Sequence, residues 1–235
     1  MDVRPIPGLE HLPYAEVWLH EADEARWREA SAAARGLGKD GLEVWTTTRT
    51  PDVPPFLADR GYEEVRRYVI SELDVAAAPD PAPPGLEIVS LAERPELAST
   101  VYAIALESYP DQPGRADTLL GDEAAWRANL LDPHPADAYL VALDGETVAG
   151  FGYLTREDHG WSHGFTGVAR AYRGRGIAGS IKRAQVAWAK ARGIPSLRTA
   201  TEKRLAVMRA LNERFGYRPL YEEIVLRGPV ASESV

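Results

Sequence analysis

The chain has 235 residues, no cysteine and a formal net charge of −8, and 45% of its residues are hydrophobic. This composition is typical of a globular protein that forms one large domain or two small ones. Disulfides and thiolate metal sites are excluded, no histidine pair has metal-binding spacing, and the acidic balance disfavours a nucleic-acid binder. No apolar run approaches a membrane span and no signal peptide is recognisable. We therefore expect a cytoplasmic protein that binds no metal, nucleic acid or membrane.

The charges are unevenly distributed along the chain. Residues 86–158 carry 4 basic and 14 acidic side chains, whereas residues 159–235 carry 14 basic and 5 acidic ones. The last third is therefore expected to bind an anion. The middle third either binds a cation or presents a solvated acidic face.

An alanine- and proline-rich segment, DVAAAPDPAPPG at 74–85, divides the chain. Its four prolines are incompatible with a helix or a central strand. We therefore predict a first part over 1–73, a linker over 74–85, a second part over 86–228 and a flexible tail over 229–235.

The first part is predicted to contain a helix over 22–36, then a strand, a second helix and a strand pair. The same order is predicted near the end of the second part, and short stretches correspond: Ala-Arg-Gly recurs at 34–36 and 191–193. We predict that the first part is a partial, degenerate copy of the second. Chance similarity between short αβ units is the alternative.

The second part alternates strands and helices. Asp144-Gly145 is a strong hairpin turn, and Gly193 fits the end of a helix. The predicted strands cover 86–91, a hairpin over 138–154, 161–168, 196–201 and, as one long strand or a hairpin, 217–226. The predicted helices cover 95–109, 122–131, 177–193 and 203–216.

The stretch RAYRGRGIAGS at 170–180 combines three glycines with three arginines. Glycine allows backbone N–H groups to approach a ligand closely, and arginine adds positive charge beside an anion. A helix that begins near Ile177 adds its positive N-terminus. The loop therefore predicts a phosphate site.

Several phosphate sites have glycine-rich loops, and most do not fit here. A dinucleotide site needs its motif after the first strand and an acidic residue about 20 positions later, but at least four strands precede this loop and 196–201 has no carboxylate. The further motifs of a kinase or Walker A loop are absent, and a nucleic-acid loop would have only Tyr172 for stacking. Arg173-x-x-Gly176-x-Ala178 instead fits a signature for pyrophosphate with a thiol arm.

The stretch from TGVARAYRGRGIAGS to LNERFGYRPL, residues 166–220, resembles the GNAT superfamily of acyl-CoA-dependent N-acyltransferases. The resemblance covers about 86–228. The residue pattern of this stretch is most similar to that of actinobacterial tandem-GNAT proteins of the mycothiol synthase type. It implies an α/β (α+β) fold in which a mixed central sheet splays apart between the strands at 161–168 and 196–201, around an acyl-CoA cleft.

The resemblance implies that acetyl-CoA is the co-substrate, with its thioester near the backbone of the strand that precedes the loop. The residues it assigns to CoA are Thr166, Gly167, Val168, Arg173, Gly174, Arg175, Gly176, Ile177, Ala178, Gly179, Thr201 and Asn212.

The chain departs from the family at three positions. Tandem relatives commonly carry asparagine where this chain has Thr201 and Leu205, and many GNAT enzymes have a tyrosine general acid where it has Asn212. The sequence therefore supports CoA binding more strongly than turnover.

Three side chains are candidates for acid–base chemistry. His163 is the predicted base, expected to share a strand face with Phe165 and Gly167 on the acceptor side and to titrate near pH 6–7. Glu107 and Asp111, at a helix end, are predicted to bind a cationic acceptor or to act as base. A structural strand histidine and a solvated helix end are the alternatives. The candidates for an aromatic wall of the acceptor pocket are Tyr109, Trp126, Trp161 and Phe165.

Together these features predict an enzyme that transfers an acetyl group from acetyl-CoA to a small, cationic amine by direct attack in a ternary complex. It is expected to act as a monomer or homodimer. Three alternatives stay open: a protein N-acetyltransferase, a non-catalytic acyl-CoA-binding protein, and an interaction module in which the first part mediates dimerisation.

Overall fold

A computed structural model describes residues 1–78, 86–112 and 119–232. Most of the linker predicted over 74–85 and the end of the predicted tail lie outside these ranges. The chain divides into two compact units. The first comprises Met1–Ile70, Thr201–Leu205 and Leu220–Val235, and the second comprises Ser71–Ala200 and Ala206–Pro219.

The described ranges contain ten strands and six α-helices, which follow the predicted order closely in the second part. The strands are β1 (Arg4–Pro5), β2 (Tyr14–Trp18), β3 (Gly41–Thr47), β4 (Glu63–Asp74), β5 (Glu87–Ser90), β6 (Tyr139–Asp144), β7 (Thr147–Glu157), β8 (Gly160–Val168), β9 (Ser196–Glu202) and β10 (Arg218–Pro229). The helices are α1 (Glu24–Gly36), α2 (Val53–Ala58), α3 (Ala98–Ser108), α4 (Glu123–Trp126), α5 (Ile177–Ala191) and α6 (Ala206–Arg214). A π-helical turn over Arg127–Leu131 follows α4.

The first unit contains a mixed sheet in the order β1-β2-β3-β10-β4, with α1 and α2 packed on one face. The parallel pair is β2 with β3, and β10 runs antiparallel to β3. Apolar residues alternate along these strands and form the core with both helices, as a half-buried strand requires. The two N-terminal strands, β1 and β2, were not expected from the sequence.

The final strand joins the first unit, although the sequence analysis assigned it to the second part. It is one long strand, so the hairpin alternative is wrong. Seven residues of β10 pair with β3, and Ile224 and Leu226 are buried in the first unit's core. The first unit is therefore built from both ends of the chain, because β3 and β10 complete each other's hydrogen bonds.

The second unit contains a mixed sheet in the order β9-β8-β7-β6-β5. Neighbouring strands are antiparallel from β5 to β8, and β8 runs parallel to β9. The β6–β7 hairpin turns at Gly145, where φ is +61°, as the Asp-Gly pair predicts. Helices α3 and α4 pack on one face and α5 packs on the other.

The predicted repeat matches the order of elements in both halves of the chain. The succession α1, β3, α2, β4 corresponds to α5, β9, α6, β10. Among the described helices, none has the length and apolar character needed to cross a membrane.

Candidate active site

Strands β8 and β9 separate soon after they begin. Trp161 pairs with Leu197 and Ser162 with Arg198, but no later residues of these two strands pair, although β8 continues to Val168. Backbone N–H and C=O groups along this edge of β8 need other partners. A ligand with amide groups can supply them, as an added strand would. We refer to this opening between β8 and β9 as the cleft, and to its closed end, just past Ser162, as the floor.

A β-bulge interrupts β8 beside the cleft. Three steps along β8 separate His163 from Thr166, whereas their partners on β7 are two steps apart. Gly164 and Phe165 therefore both oppose Tyr153. A Cβ at Gly164 would lie 2.2 Å from the Tyr153 ring, so glycine is required there. The extra residue bends the strand and increases its twist.

The bulge contradicts the facing predicted for His163. The imidazole of His163 bonds Gln185 on α5, whereas the ring of Phe165 packs on Tyr109 at the end of α3, with ring centroids 4.1 Å apart. Gly167 lies beside the Phe165 ring. The expectation that His163 shares a face with Phe165 and Gly167 is wrong, because a bulge changes the two-residue alternation on which it was based.

The glycine–arginine loop has the backbone that its sequence predicts. Gly174 and Gly176 have φ of +78° and +79°, a region that other residues rarely adopt, and the space around both is open. Helix α5 begins at Ile177, as expected. Its first N–H groups have no acceptor within the helix, so they can bind an anion. The guanidinium of Arg175 lies 5.1 Å from the centre of the Tyr172 ring.

The two acidic candidates contact this loop. The Asp111 carboxylate lies 2.7 Å from the Arg173 guanidinium, and the Glu107 carboxylate accepts the backbone N–H of Arg170. Arg173 Nε also donates to the carbonyl of Val168 at 3.1 Å. Asp111 and an anionic ligand would therefore compete for Arg173. The predicted roles of both acids toward an acceptor remain predictions.

Gln185 and Tyr217 contact the two ring nitrogens of His163 at the floor of the cleft. Its Nδ1 lies 2.8 Å from Gln185 Oε1, and with the amide in this orientation, which leaves Gln185 Nε2 without a described partner, Nδ1 carries the proton. The lone pair of Nε2 therefore accepts the hydroxyl of Tyr217. Burial holds the pKa of His163 well below its ordinary value, nearby Lys182 lowers it further, and the bond to Gln185 opposes both. This pKa lies below the 6–7 expected from the sequence.

Lys182 of α5 is the other basic group at the floor. Its side chain reaches Thr199 of β9, where Nζ and Oγ1 are 3.5 Å apart, and Nζ lies 4.6 Å from the centre of the Tyr217 ring. The residue is 8% exposed, and burial lowers the pKa of Lys182 to about 7. The sequence analysis did not identify this lysine, because a charged residue in a helix is usually on the solvated face.

The remaining residues assigned to CoA lie in several places. Ala178 and Gly179 belong to the first turn of α5. Asn212 is buried in α6, and its carbonyl accepts the amide of Tyr217. Thr201 is buried near the end of β9, among the residues of the first unit. A role in CoA binding stays a prediction for all of them.

The four aromatic candidates do not form one wall. Tyr109 and Phe165 pack together on the α3 side of the sheet, but Trp126 is fully buried in the core beneath α3. Trp161 packs against Trp188 of α5, on the opposite side. The strand's alternation and the bulge separate residues that are close in sequence.

Two further residues join the aromatic group on the α3 side, and the sequence analysis missed both. The hydroxyl of Tyr153 lies 3.3 Å from that of Tyr109, and the ring of His134 stacks on Tyr153 with centroids 5.1 Å apart. Burial lowers the pKa of His134. Their contact depends on long-range packing, which no local pattern announces. Among the described residues, no three His, Cys, Asp or Glu side chains form a metal-binding group.

A comparison of the sequence with models of protein families identifies the family of this chain. Residues 98–217 match the model of the acetyltransferase (GNAT) family, which is half of the chain. The chain is a GNAT acetyltransferase. Its cleft and loop thus belong to an acyltransferase of that family, whose members use acetyl-CoA as co-substrate. A search of curated protein sequences finds no match.

Solved structures with similar folds include other GNAT proteins. A GCN5-related N-acetyltransferase from Sphaerobacter thermophilus is 17% identical, with a TM-score of 0.70, over 98% of this chain and 76% of that one. A tandem GNAT protein from the clavulanic acid biosynthesis pathway is 18% identical, with a TM-score of 0.70, over 96% and 78%. A GCN5-related N-acetyltransferase from Kribbella flavida is 17% identical, with a TM-score of 0.65, over 97% and 84%. These likenesses cover both halves of the chain and establish the GNAT fold. The mycothiol synthase type stays a prediction.

Proposed function

We propose that this GNAT protein transfers the acetyl group of acetyl-CoA to the amine of a small, cationic metabolite or antibiotic-like compound. The observation that carries the proposal is the juxtaposition of the cleft with the glycine–arginine loop. An open backbone edge on β8 leads to a left-handed glycine pair and a helix N-terminus. This combination suits an amide-bearing arm that ends in a pyrophosphate.

In this proposal the pyrophosphate binds the amides around Gly174 and Gly176, with Arg173 and Arg175 supplying positive charge. The pantetheine arm lies along the edge of β8, and the thioester carbonyl accepts a backbone N–H near Thr166–Val168. That hydrogen bond stabilises the oxyanion as it forms.

The chemistry is direct attack within a ternary complex. The nitrogen of the neutral amine bonds to the carbonyl carbon, the carbon–sulfur bond breaks, and CoA leaves as a thiolate that takes up a proton. The proton lost by the nitrogen is assigned to Nε2 of His163 by way of ordered water, since the imidazole faces α5 and not the α3 side, and after exchange of its bond with Tyr217. Burial and the nearby Lys182 lower the pKa of His163, so Nε2 carries no proton of its own at neutral pH.

The acceptor side is proposed to be the α3 face of the cleft. Tyr109, Phe165 and His134 are partly exposed aromatic groups there, and aromatic faces attract cations. Glu107 and Asp111 lie at the adjoining end of α3 and carry negative charge. A cationic amine is therefore favoured over an anionic one.

The direct test measures thiol release from acetyl-CoA in the presence of a panel of amines. Since the chain has no cysteine, a thiol reagent detects CoA without background from the protein. Gly176→Asp serves as the control, because it places a carboxylate in the phosphate site; we expect CoA affinity to fall by at least about tenfold.

The outcomes separate the candidate functions. Release that depends on a small amine supports the proposal, and release with peptide N-termini or lysines alone supports a protein acetyltransferase. Tight CoA binding without release for any amine or peptide identifies a non-catalytic protein. His163→Ala should lower the rate by roughly 100-fold or more while CoA affinity is kept; a loss of both would make the histidine structural.

A further inference from the structure

The floor of the cleft contains a polar cluster around one basic amine; four of its five residues are buried and His163 is partly exposed. His163 and Thr199 are the first residues after the last paired positions of β8 and β9, so both lie where the strands separate. From α5, Lys182 reaches Thr199 and Gln185 reaches His163. Tyr217 touches both basic groups: its hydroxyl bonds His163 and its ring lies under Lys182. We refer to these five residues as the floor cluster.

The cluster has few means of balancing positive charge. No carboxylate of the described chain forms an ion pair with Lys182, and its one hydrogen bond is the 3.5 Å contact with Thr199. Strands β6 and β7 present apolar side chains to α5, including Ala142, Ala149 and Leu154. The titratable side chains described beside Lys182 in the floor cluster are His163 and Tyr217, and burial raises the pKa of Tyr217.

In such a cluster, protonation of one basic nitrogen makes protonation of the other less favourable, because like charges repel strongly where little water is present. The stronger base takes the first proton. An alkyl amine is more basic than an imidazole, and burial leaves that order unchanged here. Below about pH 7 the first proton therefore resides on Lys182, and His163 stays an uncharged imidazole.

We propose that Lys182 is a positioning residue of the acyl-transfer site, whose charge in the floor cluster sets the proton affinity of His163 and keeps the resting imidazole uncharged. The assignment rests on the proposed function only where it calls His163 the proton acceptor. The electrostatic coupling between Lys182 and His163 exists in the resting protein, so it can be measured without turnover.

The experiment is a pH titration of the imidazole signals by NMR in the full chain with isotopically labelled histidine. The chain has five histidines, and His163→Gln identifies the signal of interest. In Lys182→Met the midpoint of His163 should move to higher pH, because the like charge has been removed. Lys190→Met, on the exposed side of the same helix, is the matched control and should leave the midpoint unchanged. Lys182→Arg keeps the charge and should keep the midpoint low.

An unchanged His163 midpoint in a folded Lys182→Met protein overturns the proposal. If that variant does not fold, the parent chain decides: the His163 signal should show a second inflection at the pH where one of the four lysine Cε signals titrates, because the two groups are coupled. A His163 signal that no lysine titration affects would overturn the proposal as well.

Turnover gives an independent reading. In an active enzyme, the acid limb of the kcat/KM pH profile reports the ionisation of His163. This limb should therefore move to higher pH in Lys182→Met. A chain that shows the NMR shift but acetylates no amine supports the coupling and contradicts the proposed function, so the two failures are distinguishable.

Discussion

A buried ammonium costs free energy unless a carboxylate or several acceptors surround it. Lys182 has a threonine hydroxyl at 3.5 Å and the face of a tyrosine ring at 4.6 Å. The ring's negative face offsets part of the cost, but the remainder shifts the balance toward the neutral amine. The consequence is a group that gains or loses its proton near neutral pH.

This environment predicts a pH-dependent contribution to stability. The pKa of Lys182 is about 7 in the folded chain and about 10.4 when unfolded. Between these values the unfolded chain binds more protons, so the folded state gains up to about 1.4 kcal/mol per pH unit as the pH rises. Below pH 7 both states are protonated and the folded state carries the full penalty.

Lys182→Met lacks this dependence. Relative to the parent, its melting temperature should be highest at pH 6–7, and the difference should shrink as the pH rises toward 10. Thermal unfolding of both proteins across this range checks the expectation, with Lys190→Met as control. A difference that does not change with pH would show that Lys182 is not buried as a charge-sensitive group.

At the scale of elements, β8 is shaped by its bulge. Gly164 allows Tyr153 to lie against the strand where a Cβ would lie 2.2 Å from its ring. The two-against-one pairing turns His163 toward α5 and Phe165 toward α3. One glycine thus places His163, the proposed proton acceptor, and the proposed acceptor side on opposite faces of β8.

Gly164→Ala should destabilise the fold by about 1–3 kcal/mol, as overpacking of a dense site does. It should also displace Tyr153 and with it the aromatic group on the α3 face. Denaturant unfolding measures the first effect. Gly36→Ala is a suitable control, since nothing lies within 4 Å of a Cβ at that position; equal stabilities for the two variants would contradict the packing argument.

The end of α3 contacts the phosphate loop through opposite charges. Asp111 and Arg173 form an ion pair at 2.7 Å, with both side chains more than two-fifths exposed. An exposed pair of this kind contributes at most about 1 kcal/mol. If Arg173 binds the pyrophosphate as proposed, the ligand competes with Asp111 for it, and the pair weakens CoA binding by at most that amount.

Asp111→Asn should therefore strengthen CoA binding by roughly twofold to fivefold at low ionic strength, with a smaller gain as salt is added. Calorimetric titration with CoA measures this. Asp132→Asn, at an exposed position after the π-helical turn, controls for the general loss of negative charge. Weaker binding in Asp111→Asn would mean that Asp111 holds Arg173 in its productive position.

At the scale of the molecule, the first unit is assembled from the two ends of the chain. Strand β10 supplies a seven-residue ladder to β3 and two apolar side chains, Ile224 and Leu226, to the core around α1 and α2. The second half of the sequence therefore ends in a strand whose partner lies in the first half.

A chain that starts at residue 84 loses β3, α1 and α2 but retains β10. The backbone hydrogen-bonding groups of β10 that pair with β3, and the apolar face of β10, are then exposed. An unpaired apolar strand edge promotes aggregation. We expect such a chain to be aggregated or poorly soluble in size-exclusion chromatography, whereas a chain of residues 1–232 behaves like the parent. A soluble, monomeric and fully active truncated chain would show that the first half is dispensable.

Local patterns were sufficient for much of the second unit. The glycine–arginine loop, the start of α5 at Ile177 and the turn at Asp144-Gly145 all depend on residues adjacent in the chain. Backbone conformation, helix N-termini and tight turns are decided over a few residues, so they were predictable. The same stretch carried the family resemblance, which the match over residues 98–217 confirms.

Long-range contacts decided the rest. The direction of His163 depends on a ring from the neighbouring strand, the unit that β10 joins depends on β3, and the environment of Lys182 depends on residues from β8, β9 and the turn before β10. The sequence by itself determined the order of the elements and the anion-binding loop. Only the tertiary structure decided which side chains share the cleft floor, because burial and register arise from segments that are distant in the chain.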